Sequence, residues 1–185
     1  MVHIVGLSGS LRSGSYSRQA LELALHKAEL VGATTQLLDL QTLNLPFCTG
    51  AKSYPEYPDV EVLKSSVQKA DGLILATPEY HGSVSGVLKN ALDLMSFEEL
   101  SGKMTAAISV LGGQSNSNAL NHLRLIMRWV HAWMIPEQIA ISQAWKAFDA
   151  EGKLTDTQLE ERLEALVQSL LTATQKLSGA APTAE

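Results

Sequence analysis

Apolar and polar positions alternate between two rhythms along the chain. Residues 2–7 and 72–76 are short apolar runs, and 34–40, 103–111 and 133–142 also look like strands. Short apolar runs are the pattern of strands buried on both faces. Between them the apolar residues recur at helical spacing. Leu21, Ala24, Leu25 and Ala28 predict a helix over 17–31, and Gly32 is placed to end it. Residues 59–70 predict a second helix with Asp59 as its N-cap. Further helices are predicted over 86–95, over 118–133 from Leu120, Leu123, Ile126, Met127 and Val130, and over 155–177, where Thr155-Asp156-Thr157-Gln158 reads as a polar cap.

The remaining stretches read as loops. Pro46, Pro55 and Pro58 make 43–58 an ordered loop, while 77–85 and 144–153 are turn-rich. Pro136 marks the last strand as irregular or at an edge. Strand and helix alternate five times, which predicts right-handed crossovers and a doubly wound α/β sheet. One domain is expected over 1–178, followed by a small, polar tail over 179–185. Ligands of such sheets sit beyond the carboxyl ends of the strands, at the switch point. The loops after the first, third and fourth strands are therefore the ones to read for chemistry.

Composition narrows the setting. The 185 residues carry a net charge of −5, which argues against nucleic acid or an anionic membrane as partner. No apolar run reaches the roughly 20 residues of a membrane span. Cys48 is the single cysteine, so no internal disulfide forms, and the reading is a soluble, cytoplasmic protein. No His/Cys/Asp cluster has metal-ligand spacing, and no Gly-x-Ser-x-Gly elbow marks a hydrolase.

The first loop runs Gly6-Leu7-Ser8-Gly9-Ser10-Leu11-Arg12-Ser13-Gly14-Ser15-Tyr16-Ser17 into a helix. Backbone N–H groups, a helix N-terminus, several hydroxyls and one guanidinium make an anion site. No Gly-Lys-Ser/Thr is present, and the glycines do not have dinucleotide-fingerprint spacing. The donors suit a terminal phosphate monoester.

This loop resembles the Gly-Ser-Leu-Arg-x-x-Ser opening of the NADPH-dependent FMN reductase family. Thr77-Pro78-Glu79-Tyr80 followed by Leu88-Lys89-Asn90-Ala91-Leu92-Asp93 resembles that family's second block. Leu111-Gly112-Gly113 looks like its third flavin loop, and Phe148-Asp149-Ala150-Glu151-Gly152-Lys153-Leu154 extends the resemblance almost to the end. Two positions depart from the family pattern: His81 stands where many relatives have Asn, and Gln114-Ser115-Asn116 makes the fourth-strand loop more polar.

The resemblance implies a flavodoxin-like three-layer sandwich with a five-stranded parallel sheet of order 2-1-3-4-5. It implies FMN as cofactor and NADPH or NADH as donor. A quinone, free flavin, azo dye or metal oxyanion would be the acceptor, reached by a ping-pong cycle in a homodimer or homotetramer. By position, Ser8, Ser10, Arg12, Ser15, Tyr16 and Ser17 are expected around the FMN phosphate. Pro78, Glu79, Tyr80, His81 and Gly82 are expected along the isoalloxazine, with Gly112 and Gly113 against its other part. Glu79 and Tyr80 are candidates for positioning substrate. His81 is either a proton donor or a turn cap. Cys48 is either a small hydrophobe beside the pocket or a redox group, while Lys89 and Asn90 are expected to tie helix to loop. Trp129, Trp133, His131 and Met127 read as core or as an oligomer contact, with His122 and Arg128 on a solvated or interface face. The rival reading is a flavodoxin-like electron carrier without reductase activity of its own.

Overall fold

The structure, a computed structural model, describes residues 1–114 and 117–179. Its centre is a sheet of five parallel strands: β1 (His3–Ser8), β2 (Thr34–Asp39), β3 (Gly72–Pro78), β4 (Met104–Val110) and β5 (Trp133–Ile141). The strand order is β2-β1-β3-β4-β5, as expected from the resemblance. The switch point falls between β1 and β3, where Ser8 lies level with Ala76.

Helices cover both faces because each carries an apolar stripe. The helix α1 (Tyr16–Leu30) buries Ala20, Leu21, Ala24, Leu25 and Ala28 against one face. The last helix, α7 (Thr157–Gly179), joins it there through Leu163, Leu166, Val167 and Leu170. Gly6 lets α1 approach closely: a Cβ there would stand 2.8 Å from Leu21 Cδ1. On the opposite face lie α2 (Pro58–Lys69), α3 (Gly86–Asp93) and α5 (Asn118–Trp129), over a second cluster built on Leu63, Leu75, Leu88 and Leu123. Each of these leucines is fully buried and contributes about 1.5–3 kcal/mol. Lys27 of α1 bridges to α7, with Nζ 3.1 Å from Glu160 and 2.7 Å from Glu164. Burial pulls the Lys27 pKa down, but the two carboxylates outweigh it and hold the ammonium above its ordinary 10.5.

Several boundaries differ from the sequence expectation. Asp59 does not cap α2. The helix begins one residue earlier at Pro58, after Tyr57, because proline is pre-organised for the first helical position. The Asp59 carboxylate instead accepts from the N–H of Asn44 at 2.7 Å. The start of α7 is two residues later than expected, and Asp156 accepts from the N–H groups of Gln158 and Glu160. Two short helices were not anticipated: α4 (Phe97–Leu100), closed by a Ser96–Glu99 capping box, and α6 (Ala144–Ala147) inside the expected 144–153 loop. Within β5, the expected irregularity at Pro136 appears as a register shift opposite Thr105–Ala107. Arg124 of α5 fills it, donating to the carbonyls of Ile135 and Pro136 at 3.0 and 2.9 Å. Most of the expected 179–185 tail, and Ser115 and Asn116 of the fourth-strand loop, lie outside the described residues.

Candidate flavin site

The loop after β1 turns sharply at Gly9, whose N–H donates to Ala76 O at 2.8 Å. Its carbonyl accepts from Ser85 Oγ at 2.6 Å, and that hydroxyl also caps α3 by accepting from Leu88 N. No side chain fits at this position, because a Cβ on Gly9 would meet Leu88 Cβ at 2.7 Å. The chain then enters α1 through Ser15, an N-cap whose Oγ accepts from Arg18 N. The N–H groups of Tyr16 and Ser17 precede the first helical bonds and stay open to a ligand. Ser15 and Ser17 share a hydroxyl–hydroxyl bond of 2.9 Å, and the Ser10 hydroxyl accepts from Arg12 N. The Arg12 side chain is exposed and has no carboxylate partner among the described residues.

The loop after β3 is a tight hairpin. Tyr80 and Ser83 exchange both backbone hydrogen bonds, at 3.0 and 3.1 Å, around His81 and Gly82. Both central residues have positive φ, 51° and 74°, as a type I′ turn requires. This gives a physical reason for His or Asn at position 81, since both tolerate the left-handed region better than most residues. The turn packs against α5, where Ser83 Oγ lies 2.8 Å from His122 Nδ1.

Glu79 sits at the end of β3, with its side chain turned to α5. Its side chain is only 7% exposed, and its carboxylate accepts from Ala119 N at 3.0 Å in the first turn of α5. It stands where a helix N-terminus favours negative charge, and Ser117, the N-cap residue, makes no side-chain cap. Further along, Ala144 N donates to Leu111 O and Gln143 N to Gly113 O, joining the loops after β4 and β5.

These loops enclose an open cleft of about 390 Å3 at the carboxyl ends of the strands. Its anion-binding end is lined by Ser10, Arg12, Ser15, Tyr16 and Ser17. Pro78, Glu79 and Tyr80 from the loop after β3, and Leu111, Gly112 and Trp145 from the segments after β4 and β5, line the rest. Of the residues expected in the site, Ser8, His81, Gly82 and Gly113 do not line the cleft. Ser8 is fully buried beneath it, with an Oγ that finds no partner. Trp145 was not foreseen. It sits on the unexpected α6, which Phe148 pins to α1 by stacking on Tyr16 at 5.4 Å. Lys89 pairs with Asp93, and Asn90 bonds Pro46 O and Cys48 N, so Asn90 ties α3 to the 43–58 loop. Cys48 Sγ lies in that tie, donating to Asp93 O at 3.2 Å.

The donor chemistry fits a phosphate monoester at one end and a planar ring beside Tyr80 and Gly112. The sequence profile of NADPH-dependent FMN reductases matches residues 2–146. The chain belongs to the NADPH-dependent FMN reductase family. It is therefore an oxidoreductase of the flavodoxin-like fold, from a family that works with FMN and NAD(P)H. The NAD(P)H-dependent FMN reductase PA1204 of Pseudomonas aeruginosa is 37% identical over 185 residues, covering 96% of this chain and 98% of that protein. The NAD(P)H:quinone oxidoreductase of Solanum tuberosum is 32% identical over 188 residues, covering 97% and 96%. Among solved structures, the NAD(P)H:(acceptor) oxidoreductase FerB of Paracoccus denitrificans superposes with a TM-score of 0.79 at 25% identity, covering 95% and 98%. Among the described residues, no helix of this FMN reductase family member is long and apolar enough to cross a membrane.

Proposed function

We propose that this chain passes reducing equivalents from NADPH or NADH to a small acceptor, a quinone, free flavin, azo dye or metal oxyanion, through FMN held in the cleft. The observation that carries the reading is the juxtaposition of two chemistries in one cavity. Unpaired Arg12 and the hydroxyls at the α1 N-terminus stand at one end, and Tyr80 and Gly112 line the rest. Bound FMN supplies the hydride and electron chemistry that no side chain here provides. Arg12, Ser10, Ser15 and Ser17 hold its phosphate by charge-assisted and hydroxyl hydrogen bonds. Gly112 leaves room for a ring, since nothing lies within 4 Å of where its Cβ would be.

Tyr80, 47% exposed, borders the open side where donor and acceptor stack. Donor and acceptor use that side in turn, in ping-pong order. Glu79 acts by holding the β4 loop in place, because its carboxylate is committed to α5. We further propose that copies associate through the outer face of α5, where Leu125 and Trp129 are 62% and 73% exposed, and that the protein works in the cytoplasm. The deciding experiment mixes FMN-loaded protein with NADPH and a quinone. Parallel double-reciprocal lines support the reading. No oxidation of NADPH or NADH with any quinone, flavin or dye would leave the electron-carrier reading in its place. Light scattering tests the assembly, and a fully active monomer at micromolar concentration contradicts it.

A further inference from the structure

Beyond Trp145 the surface falls into a second groove of about 340 Å3, outside the flavin cleft. The carboxyl end of β5 and the start of α7 form it, through Ser142, Gln143, Lys146, Thr155, Gln158 and Arg162. Its donors are hydroxyls, amides and two exposed cations. Among the described residues neither Lys146 nor Arg162 is paired with a carboxylate, and Arg162 reaches the Gln138 carbonyl only at 3.5 Å. Asp156, the acid that lines the groove, is engaged in starting α7. In a chain of net charge −5, two unpaired cations in one groove are a local exception that an anion can use.

Trp145 and Lys146, adjacent in α6, face the two cavities. Trp145 lines the flavin cleft and is 61% exposed. Lys146 lines the neighbouring groove, and its Nζ stands 4.6 Å from the indole centroid. One side of the ring is thus backed by a cation while the cleft side stays open. The start of α6 is firmly held. Gln143 takes a left-handed φ of 48° and accepts from Lys146 N at 2.8 Å, while its own N–H donates to Gly113 O.

A ligand that spans both cavities needs a planar ring at each end and a phosphate near the second. A nicotinamide donor has that form. We propose that the groove receives the 2′-phosphate of NADPH between Lys146 and Arg162, with the adenine of the donor against the open, cleft-facing side of Trp145. This rests on the reductase reading above. NADH lacks the 2′-phosphate and leaves both cations unused. A charge-assisted hydrogen bond to phosphate is worth roughly tenfold or more in affinity, so the groove selects NADPH.

The test uses adenosine 2′,5′-bisphosphate as probe, titrated calorimetrically into FMN-loaded protein, with 5′-AMP as control. The bisphosphate is expected to bind at least about tenfold tighter than AMP and to compete with NADPH. In the Lys146→Gln/Arg162→Gln double variant that preference disappears, and the KM ratio of NADH to NADPH falls about tenfold or more. Both residues are exposed, so an unchanged melting temperature verifies that the fold is intact. Trp145→Ala weakens the bisphosphate and AMP alike. Equal binding of the two probes by the unsubstituted protein, or an unaltered KM ratio in the double variant, overturns the proposal. If the protein oxidises neither nucleotide, the reductase reading fails by itself. The titration still decides the groove, because probe binding needs no turnover.

Discussion

The carboxylate of Glu79, at the end of β3, accepts a 3.0 Å hydrogen bond from the backbone N–H of Ala119 in α5. One buried side chain therefore fixes the distance between the two loops that flank the ring end of the cleft. Glu79→Ala removes both the charge and the acceptor at an otherwise uncapped helix start. It is expected to lower stability by about 1–3 kcal/mol, read by denaturant unfolding. Glu79→Gln keeps an acceptor and should lose less than half of that.

Arg12 offers a cleaner separation of binding from stability. Its guanidinium is exposed and has no carboxylate partner among the described residues. Arg12→Ala should weaken FMN by roughly 1.5–3 kcal/mol, the range for hydrogen bonds to charged groups. Riboflavin, which has no phosphate, should bind as before. Fluorescence titrations of both ligands check this, and equal losses would assign Arg12 to fold stability.

At position 81 the backbone decides. Since φ is 51°, His81→Asn should leave stability and turnover nearly unchanged. His81→Val places a β-branched residue in the left-handed region and should cost about 1–2 kcal/mol. If His81→Asn abolished turnover while keeping FMN, the imidazole would be a proton donor after all.

Tyr80 borders the opening, whereas the phosphate donors lie at the far end of the cleft. Tyr80→Ala is expected to keep flavin content near normal and to lower turnover or alter acceptor preference. Absorbance of the purified protein and steady-state rates measure the two separately.

The Lys27 bridge gives a pH signature. Its folded pKa is raised above 10.5, so the protonated lysine stabilises the fold at every pH below that value. The contribution is lost as pH climbs through the raised folded pKa. The two glutamates are half exposed and screened, so its size is about 0.5–1 kcal/mol. Melting curves of the parent and Lys27→Met should differ by a constant amount through neutrality and converge above pH 10.5.

The first and third strands are legible as short, mostly apolar runs, the others as mixed runs set between helical patterns, and the resemblance supplies their order. The anion loop was legible too, since Ser10, Arg12, Ser15 and Ser17 are near neighbours in sequence. The ties between loops were not. Gly9 O to Ser85, Ala119 N to Glu79 and Gly113 O to Gln143 each use a backbone atom of a distant segment, which no side-chain pattern reports. Trp145 was missed because a four-residue helix has no periodicity to detect. Its position just after the last strand was the available signal. Motif position points Ser8 at the phosphate, while strand register places it level with Asp39 and Ala76, under the loop. Asp59 misled because a proline beside a capping residue starts the helix first.

The Arg124 bonds to Ile135 and Pro136 have a consequence for crowding. An outermost strand ordinarily offers a ladder of free amides and carbonyls to any extended segment that drifts by. Here Pro136 has no amide to offer, and the two neighbouring carbonyls already have a guanidinium. Around Pro136, β5 offers fewer free groups to runaway strand addition of the kind that seeds fibrils. An Arg124→Ala chain held at high concentration should cloud more readily than the parent.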